Sequence, residues 1–147
     1  MATNIRAAEP KDESRWRTLW SEYTDFYGVT VDPKTTDSVW SRVFSDSSTL
    51  FCRVAEVDGK VEGFALCLIH DGTWVKEPIC YLEDLFLNEA CRGKGIGKAL
   101  MDDLVTICKD NGYCRLYWHT HEDNKTARKL YDQYVKSDGH IRYRISF

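Results

Sequence analysis

Between positions 91 and 100 the chain reads CRGKGIGKAL, with Gly93, Gly95 and Gly97 at alternate positions and Arg92, Lys94 and Lys98 around them. Glycine is costly to order, so such an alternation predicts backbone N–H groups that come very close to a ligand. The cations on both sides make a phosphate the natural ligand. The segment just before, ICYLEDLFL, is apolar and strand-like. After the glycines Leu100, Leu104, Ile107 and Cys108 keep helical period while Asp102, Asp103, Lys109 and Asp110 fall elsewhere, until Gly112 stops the helix. The glycines therefore occupy a strand-to-helix junction. There the first-turn N–H groups lack partners and the helix dipole leaves roughly half a positive charge, which makes an anion site.

Two nucleotide-binding fingerprints fail on spacing. A phosphate loop of the form G-x-x-x-x-G-K-[ST] needs one more residue than Gly93 to Gly97 provides, and Lys98 is followed by Ala99, so no hydroxyl is placed for a magnesium ion. A G-x-G-x-x-G dinucleotide turn fails because Leu100 stands three beyond Gly97.

The rest of the chain alternates strand and helix signals. NIRAAE is a short strand, and Pro10 opens a helix whose stripe is Trp16, Leu19, Trp20, Tyr23 and Tyr27, ended by Gly28. A weaker helix is expected over about Thr36 to Phe44. TLFCRVAEV and KVEGFALCLI flank Asp58-Gly59 and predict a β-hairpin. CRLYWHT is a strand, NKTARKLYDQY a helix, and HIRYRISF alternates Ile141, Tyr143, Ile145 and Phe147 with polar residues as a half-buried strand does. The sum is a mixed α/β sandwich of sheet and helices in one domain, since 147 residues suffice for a single core.

Composition narrows the partners. No apolar run approaches a membrane span and the N-terminus lacks a signal layout, so a cytoplasmic protein without membrane partners is expected. With a net charge of −3, a nucleic-acid partner is not expected, and an acidic surface attracts amines. The six cysteines contain no C-x-x-C pair and read as small reduced core residues. His119 and His121, at i and i+2, have no third ligand motif to complete a metal site, and no metal is expected.

Arg92-Gly-Lys-Gly-Ile-Gly97 matches the R-x-x-G-x-G pattern of the GCN5-related N-acetyltransferases (GNAT), and the resemblance spans nearly the whole chain. YLEDLFLNEACRGKGIGKAL is similar to the equivalent stretch of spermidine/spermine-type small-amine acetyltransferases, and LYWHTHEDNKTARKLYDQY to the family's next strand and helix. The resemblance implies a mostly antiparallel sheet flanked by helices, with strands splayed around acetyl-CoA. It places the pantetheine arm along Leu85, Phe86 and Leu87, and the pyrophosphate on Arg92, Gly93, Lys94, Gly95, Ile96, Gly97 and Lys98. The plainer alternative for Arg92 and Lys94 is a pair of solvated charges. It implies binding of the arm by Asn124 and makes Tyr131, seven residues on, the acid that protonates the departing thiolate, with Tyr134 in reserve. Tyr113 and Tyr117 read as structural.

The acceptor amine must lose a proton before it attacks, which calls for a carboxylate. Glu83 and Asp84 stand in the middle of an apolar strand, where charges are rare. Being consecutive, they face opposite sides unless a bulge intervenes, and a strand-edge salt bridge is the plainer reading of each. Trp74, in a loop that borders the acceptor pocket in this fold, is a candidate substrate contact. The expected activity is acetyl transfer from acetyl-CoA to a small cationic amine or amino compound. A protein or peptide amine, or a non-catalytic acyl-CoA sensor, is the alternative. One departure from the family is visible: YVKSD precedes Gly139-His140 where many members have a Gly-Phe pair. This leaves the C-terminal strand order open, and the tail is a candidate for forming a homodimer.

Overall fold

A computed structural model describes residues 1–147. Strands β1 (Thr3–Ala7), β2 (Leu50–Val57), β3 (Lys60–His70), β4 (Ile79–Leu87) and β5 (Arg115–Trp118) form one sheet in the order β1-β2-β3-β4-β5. The first three pairings are antiparallel and β4–β5 is parallel. Parallel neighbours need a long crossover, and the glycine segment with helix α3 (Ile96–Asn111) supplies it. The hairpin turn forms where expected, because Asp58 (φ 50°) and Gly59 (φ 84°) both take the left-handed conformation of a tight two-residue loop.

Helices cover both faces. On one, α1 (Glu13–Phe26) and α2 (Pro33–Val43) bury Trp16, Leu19 and Trp40 against Val54, Phe64, Leu66 and Phe86. Trp16 stacks between Trp20 and Trp40 at centroid distances of 5.2 and 4.9 Å. On the other face, α3 packs Ile96, Leu100, Met101 and Leu104 on Ala55, Ala65, Cys80 and Leu82. A paired Arg53–Asp103 contact at 2.8 and 2.9 Å ties α3 to β2. The last helix, α4 (Lys125–Tyr131), follows β5, and its Leu130 and Tyr131 join that second cluster.

Several expectations require correction. Helix α2 begins at Pro33 because the Asp32 side chain caps the Lys34 N–H at 2.8 Å. The helix expected over residues 124–134 is α-helical only to Tyr131 and then tightens into turns. The terminal strand does not form. Ile141, Tyr143, Ile145 and Phe147 are 78–117% exposed, since β5 stays an edge with β4 as its sole neighbour and the tail meets no strand to satisfy its backbone. All six cysteines are free; Cys52, Cys67, Cys80 and Cys108 are buried, but Cys114 is exposed and lies outside the core. No helix is long and apolar enough to cross a membrane.

Candidate active site

Strands β4 and β5 pair only from Ile79–Arg115 to Leu82–Trp118, although β4 continues to Leu87. Beyond Leu82 the pairing stops because β5 ends at Trp118, which leaves a cleft along the unpaired side of β4. The Asn88 N–H donates to the Glu62 carbonyl at 2.8 Å, so by alternation Phe86 and Asp84 turn their backbone groups to β3. Leu85 and Leu87 thus direct N–H and C=O into the cleft. The Leu87 carbonyl accepts from Arg92 Nε at 3.1 Å. Phe86 differs from its neighbours, with its backbone on β3 and its ring buried on the α1 face.

The glycine segment closes the wide end. Gly93 (φ 74°) and Gly95 (φ 81°) are left-handed, and the first helical bond of α3 runs from the Ala99 N–H to the Gly95 carbonyl at 3.0 Å. The N–H groups of Ile96, Gly97 and Lys98 are therefore left without helical acceptors. A Cβ on Gly93 or Gly95 would meet nothing within 4 Å, so the space over the loop is open to a ligand. At Gly97 a Cβ would lie 3.3 Å from Leu130 Cδ2 of α4. The three cations differ in their engagement. Lys98 Nζ pairs with Asp102 at 2.9 Å, the Arg92 guanidinium lies over the Phe26 and Phe86 rings at 5.7 and 5.6 Å, and Lys94 makes no ion pair. The resulting cradle, of free amides with an open top and two unpaired cations, fits a pyrophosphate.

The middle of β4 carries the bulge on which the two carboxylates depend. Leu66 pairs with Asp84 but Cys67 pairs with Leu82, leaving Glu83 as the extra residue. Leu82 then packs toward α3 while Asp84 faces α1, where the Tyr23 hydroxyl donates to its Oδ1 at 2.7 Å. Glu83 alternates from Leu82, so the bulge lets both carboxylates share one side of the strand, and the charge of exposed Glu83 acts on Asp84. Burial pushes the Asp84 carboxyl up to about 6; the Tyr23 hydrogen bond opposes the shift and Glu83 adds to it. No arginine, lysine or histidine pairs with either carboxylate, so the salt-bridge reading does not hold within this chain.

Across the cleft, Tyr131 is half-buried with its ring 5.4 Å from Trp118, and burial pushes its phenol up to about 12. It is protonated at neutral pH. Asn124 is the N-cap of α4: its carbonyl oxygen accepts from the Ala127 N–H at 3.2 Å, which leaves the amide NH₂ without a partner. Tyr134 is engaged elsewhere, donating to Asp102 Oδ1 at 2.6 Å. Trp74 is 98% exposed and stacks on no other ring.

Other groups enter the site unannounced by any motif. Tyr81 and Tyr117 lie side by side on β4 and β5 with centroids 4.7 Å apart; His70 Nε2 bonds the Tyr117 hydroxyl at 2.7 Å and His119 Nδ1 the Tyr81 hydroxyl at 3.1 Å. Tyr117 is thus part of an aromatic wall with Tyr81, and the Arg115 guanidinium already lies over its ring at 5.5 Å. His119 and His121 part company, the latter standing 6.1 Å from the Tyr27 ring. Tyr23 was no more legible, since the same helical stripe also carries Tyr27.

Comparison with known proteins gives a consistent result. The sequence profile of the Acetyltransferase (GNAT) family matches residues 16–135. The D-amino-acid N-acetyltransferase HPA3 of Saccharomyces cerevisiae is 30% identical over 142 residues, covering 95% of this chain and 88% of the yeast protein. The ribosomal-protein-alanine N-acetyltransferase of Brucella melitensis biovar Abortus superposes with a TM-score of 0.84 at 23% identity, covering 99% of this chain and 100% of the other. AAC(6')-Iy, in complex with the bisubstrate analogue CoA-S-monomethyl-acetylneamine, does so at 0.83 and 20% identity, with each chain covered in full. These two structural likenesses concern the fold.

Proposed function

The chain belongs to the GNAT acetyltransferase family and is an N-acetyltransferase, and from that premise we propose that it moves the acetyl group of acetyl-CoA to the primary amine of a small amino compound. The observation that carries this reading is the pair of carboxylates that β4 presents together, with no ion pair to any cation of the chain. A half-buried carboxylate lacking a counter-ion is unfavourable unless a cation arrives, and an acceptor ammonium supplies it. The neighbouring Tyr81 ring favours the same charge. A free amino acid heads the acceptor candidates, since the yeast relative that spans nearly the whole chain is named for that activity. The CoA-containing bisubstrate analogue held by the same fold supports acetyl-CoA as donor.

In the proposed mechanism the amides of Ile96, Gly97 and Lys98, with Gly93, Lys94 and Gly95, hold the pyrophosphate, and Arg92 adds charge beside it. The pantetheine arm lies along the free backbone groups of Leu85 and the Leu87 N–H, whereas Phe86 lends its ring to the floor. The Asn124 amide donates to the arm from the opposite wall. Glu83 attracts the ammonium and Asp84 takes its proton. The freed nitrogen attacks the thioester carbonyl, the C–N bond forms as the C–S bond breaks, Tyr131 gives its proton to the leaving sulfur, and the second proton lost by the nitrogen restores the Tyr131 phenol through solvent. Release of CoA in the presence of D- and L-amino acids, polyamines and peptides tests the reading. Acetyl-CoA binding without turnover on any of them would point to a sensor.

Tyr131→Phe keeps the ring on Trp118 and removes the donor. A kcat loss of about ten- to a thousandfold is expected, with acetyl-CoA affinity and thermal stability nearly unchanged. An unchanged kcat would leave solvent as the acid. Because Tyr134 is held by Asp102, Tyr134→Phe should cost activity far less.

The exposed tail is proposed to pair with a second copy of the chain. Four large apolar side chains on alternate residues stand in solvent while β5 has an open edge, and each defect covers the other in a symmetric exchange. Light scattering should find a dimer for the full chain and a monomer after deletion of residues 139–147. A monomeric full chain at micromolar concentration would refute the pairing.

A further inference from the structure

The Tyr23–Asp84 contact joins α1 to β4 between residues sixty-one apart in sequence and is the sole hydrogen bond that the Asp84 side chain makes. Tyr23 has little freedom to be elsewhere. Its ring is wedged among Trp20, Tyr27, Phe64 and Phe86 at centroid distances of 5.8, 5.2, 5.8 and 5.7 Å. A phenylalanine would fill this space as well, so packing alone does not explain a hydroxyl whose desolvation is costly. The hydroxyl instead occupies one oxygen of the carboxylate. Oδ2 has no partner.

We propose that Tyr23 is a positioning residue of the acetyl transfer: by donating to Oδ1 it holds the Asp84 carboxylate ionised and leaves Oδ2 as the atom that receives the proton of the acceptor ammonium. The inference rests on the reading of Asp84 as the base. The groups that face Asp84 are few. Glu83 on β4 repels a second negative charge, Tyr27 on α1 lies behind Tyr23, Leu66 stands opposite on β3, and the Cys52 thiol on β2 feels the Asp84 charge. The Arg92 guanidinium lies over the Phe86 ring and makes no ion pair with Asp84. Tyr23 is thus the one donor that favours the charged form. Burial and the adjacent carboxylate hold the phenol far above its usual range, so it remains a donor throughout the working pH range.

The test uses the full chain with acetyl-CoA and the best acceptor from the amine panel. Tyr23→Phe should move the acid limb of kcat/KM to higher pH by about one unit and lower kcat at pH 7 roughly three- to thirtyfold. The KM for acetyl-CoA should be unchanged. Carbon-13 carboxyl titration of Asp84 in the absence of substrates should show the same upward displacement, a signature that loss of packing alone does not produce. If Asp84→Asn removes the acid limb while Tyr23→Phe leaves both limb and carboxyl titration in place, the positioning role is overturned and the base assignment stands. If Asp84→Asn keeps rate and limb, the base assignment itself fails.

Discussion

Gly95→Val should abolish measurable acetyl-CoA binding by calorimetry and, with it, turnover, while the chain still unfolds cooperatively. Gly95 sits at φ 81° as the N-cap of α3, where a β-branched residue is strained by about 1–2 kcal/mol and would shift the loop. Its Cβ would meet nothing of the protein itself, so the new side chain projects into the space over the Ile96, Gly97 and Lys98 amides. The proposed mechanism puts the pyrophosphate in that space. Gly112→Val makes the control: Gly112 ends the same helix at φ 70° with open space around its Cβ, so it carries similar strain far from the amides and should bind acetyl-CoA normally. Equal affinity in folded Gly95→Val would remove the loop from the donor site.

Asp84→Asn should lower kcat by about a hundred- to a thousandfold, with acetyl-CoA affinity retained, because the amide cannot take the ammonium proton. In the parent enzyme kcat/KM should rise with pH through an acid limb near 6, the value to which burial moves the Asp84 carboxyl. The variant should lack that limb. Stability should change in the opposite direction. A carboxyl at about 6 when folded and near 3.8 when unfolded binds its proton more tightly in the folded state, so ionisation destabilises the fold at every pH above 6. The penalty shrinks between pH 6 and 3.8 and is absent below. The substituted amide has no charge to desolvate, and its oxygen can still accept from Tyr23. The variant should therefore melt higher than the parent at pH 8, with the gain vanishing toward pH 4. Lower stability at pH 8 would mean that the Tyr23 contact outweighs the desolvation it accompanies. A site that is less stable than its neutral counterpart is the expected cost of a poised base.

What was legible in the sequence is what short-range physics governs. The left-handed conformations at Gly93, Gly95 and Asp58-Gly59 depend on the residues themselves, and the α1 stripe from Trp16 to Tyr23 depends on helical period. The strand–glycine–helix junction could therefore be read as an anion cradle before any coordinate was known. The edges of elements were less legible, because the Asp32 cap and the tightening after Tyr131 turn on single hydrogen bonds. Tertiary structure alone decided the remainder. The side on which Glu83 and Asp84 lie follows from the register of β4 against β3, where one unpaired residue reverses the alternation. The shift of the Asp84 carboxyl follows from its burial and from a hydrogen bond to a tyrosine sixty-one residues away, and the fate of Lys98 and Tyr134 from Asp102. The alternating tail shows the same division, since its pattern specifies a strand but a strand requires a neighbour, and none of this chain's own edges reaches it. Dihedral preference and periodicity act within a few residues and are written into the chain, whereas register, burial and the choice of hydrogen-bond partner arise only when distant segments meet.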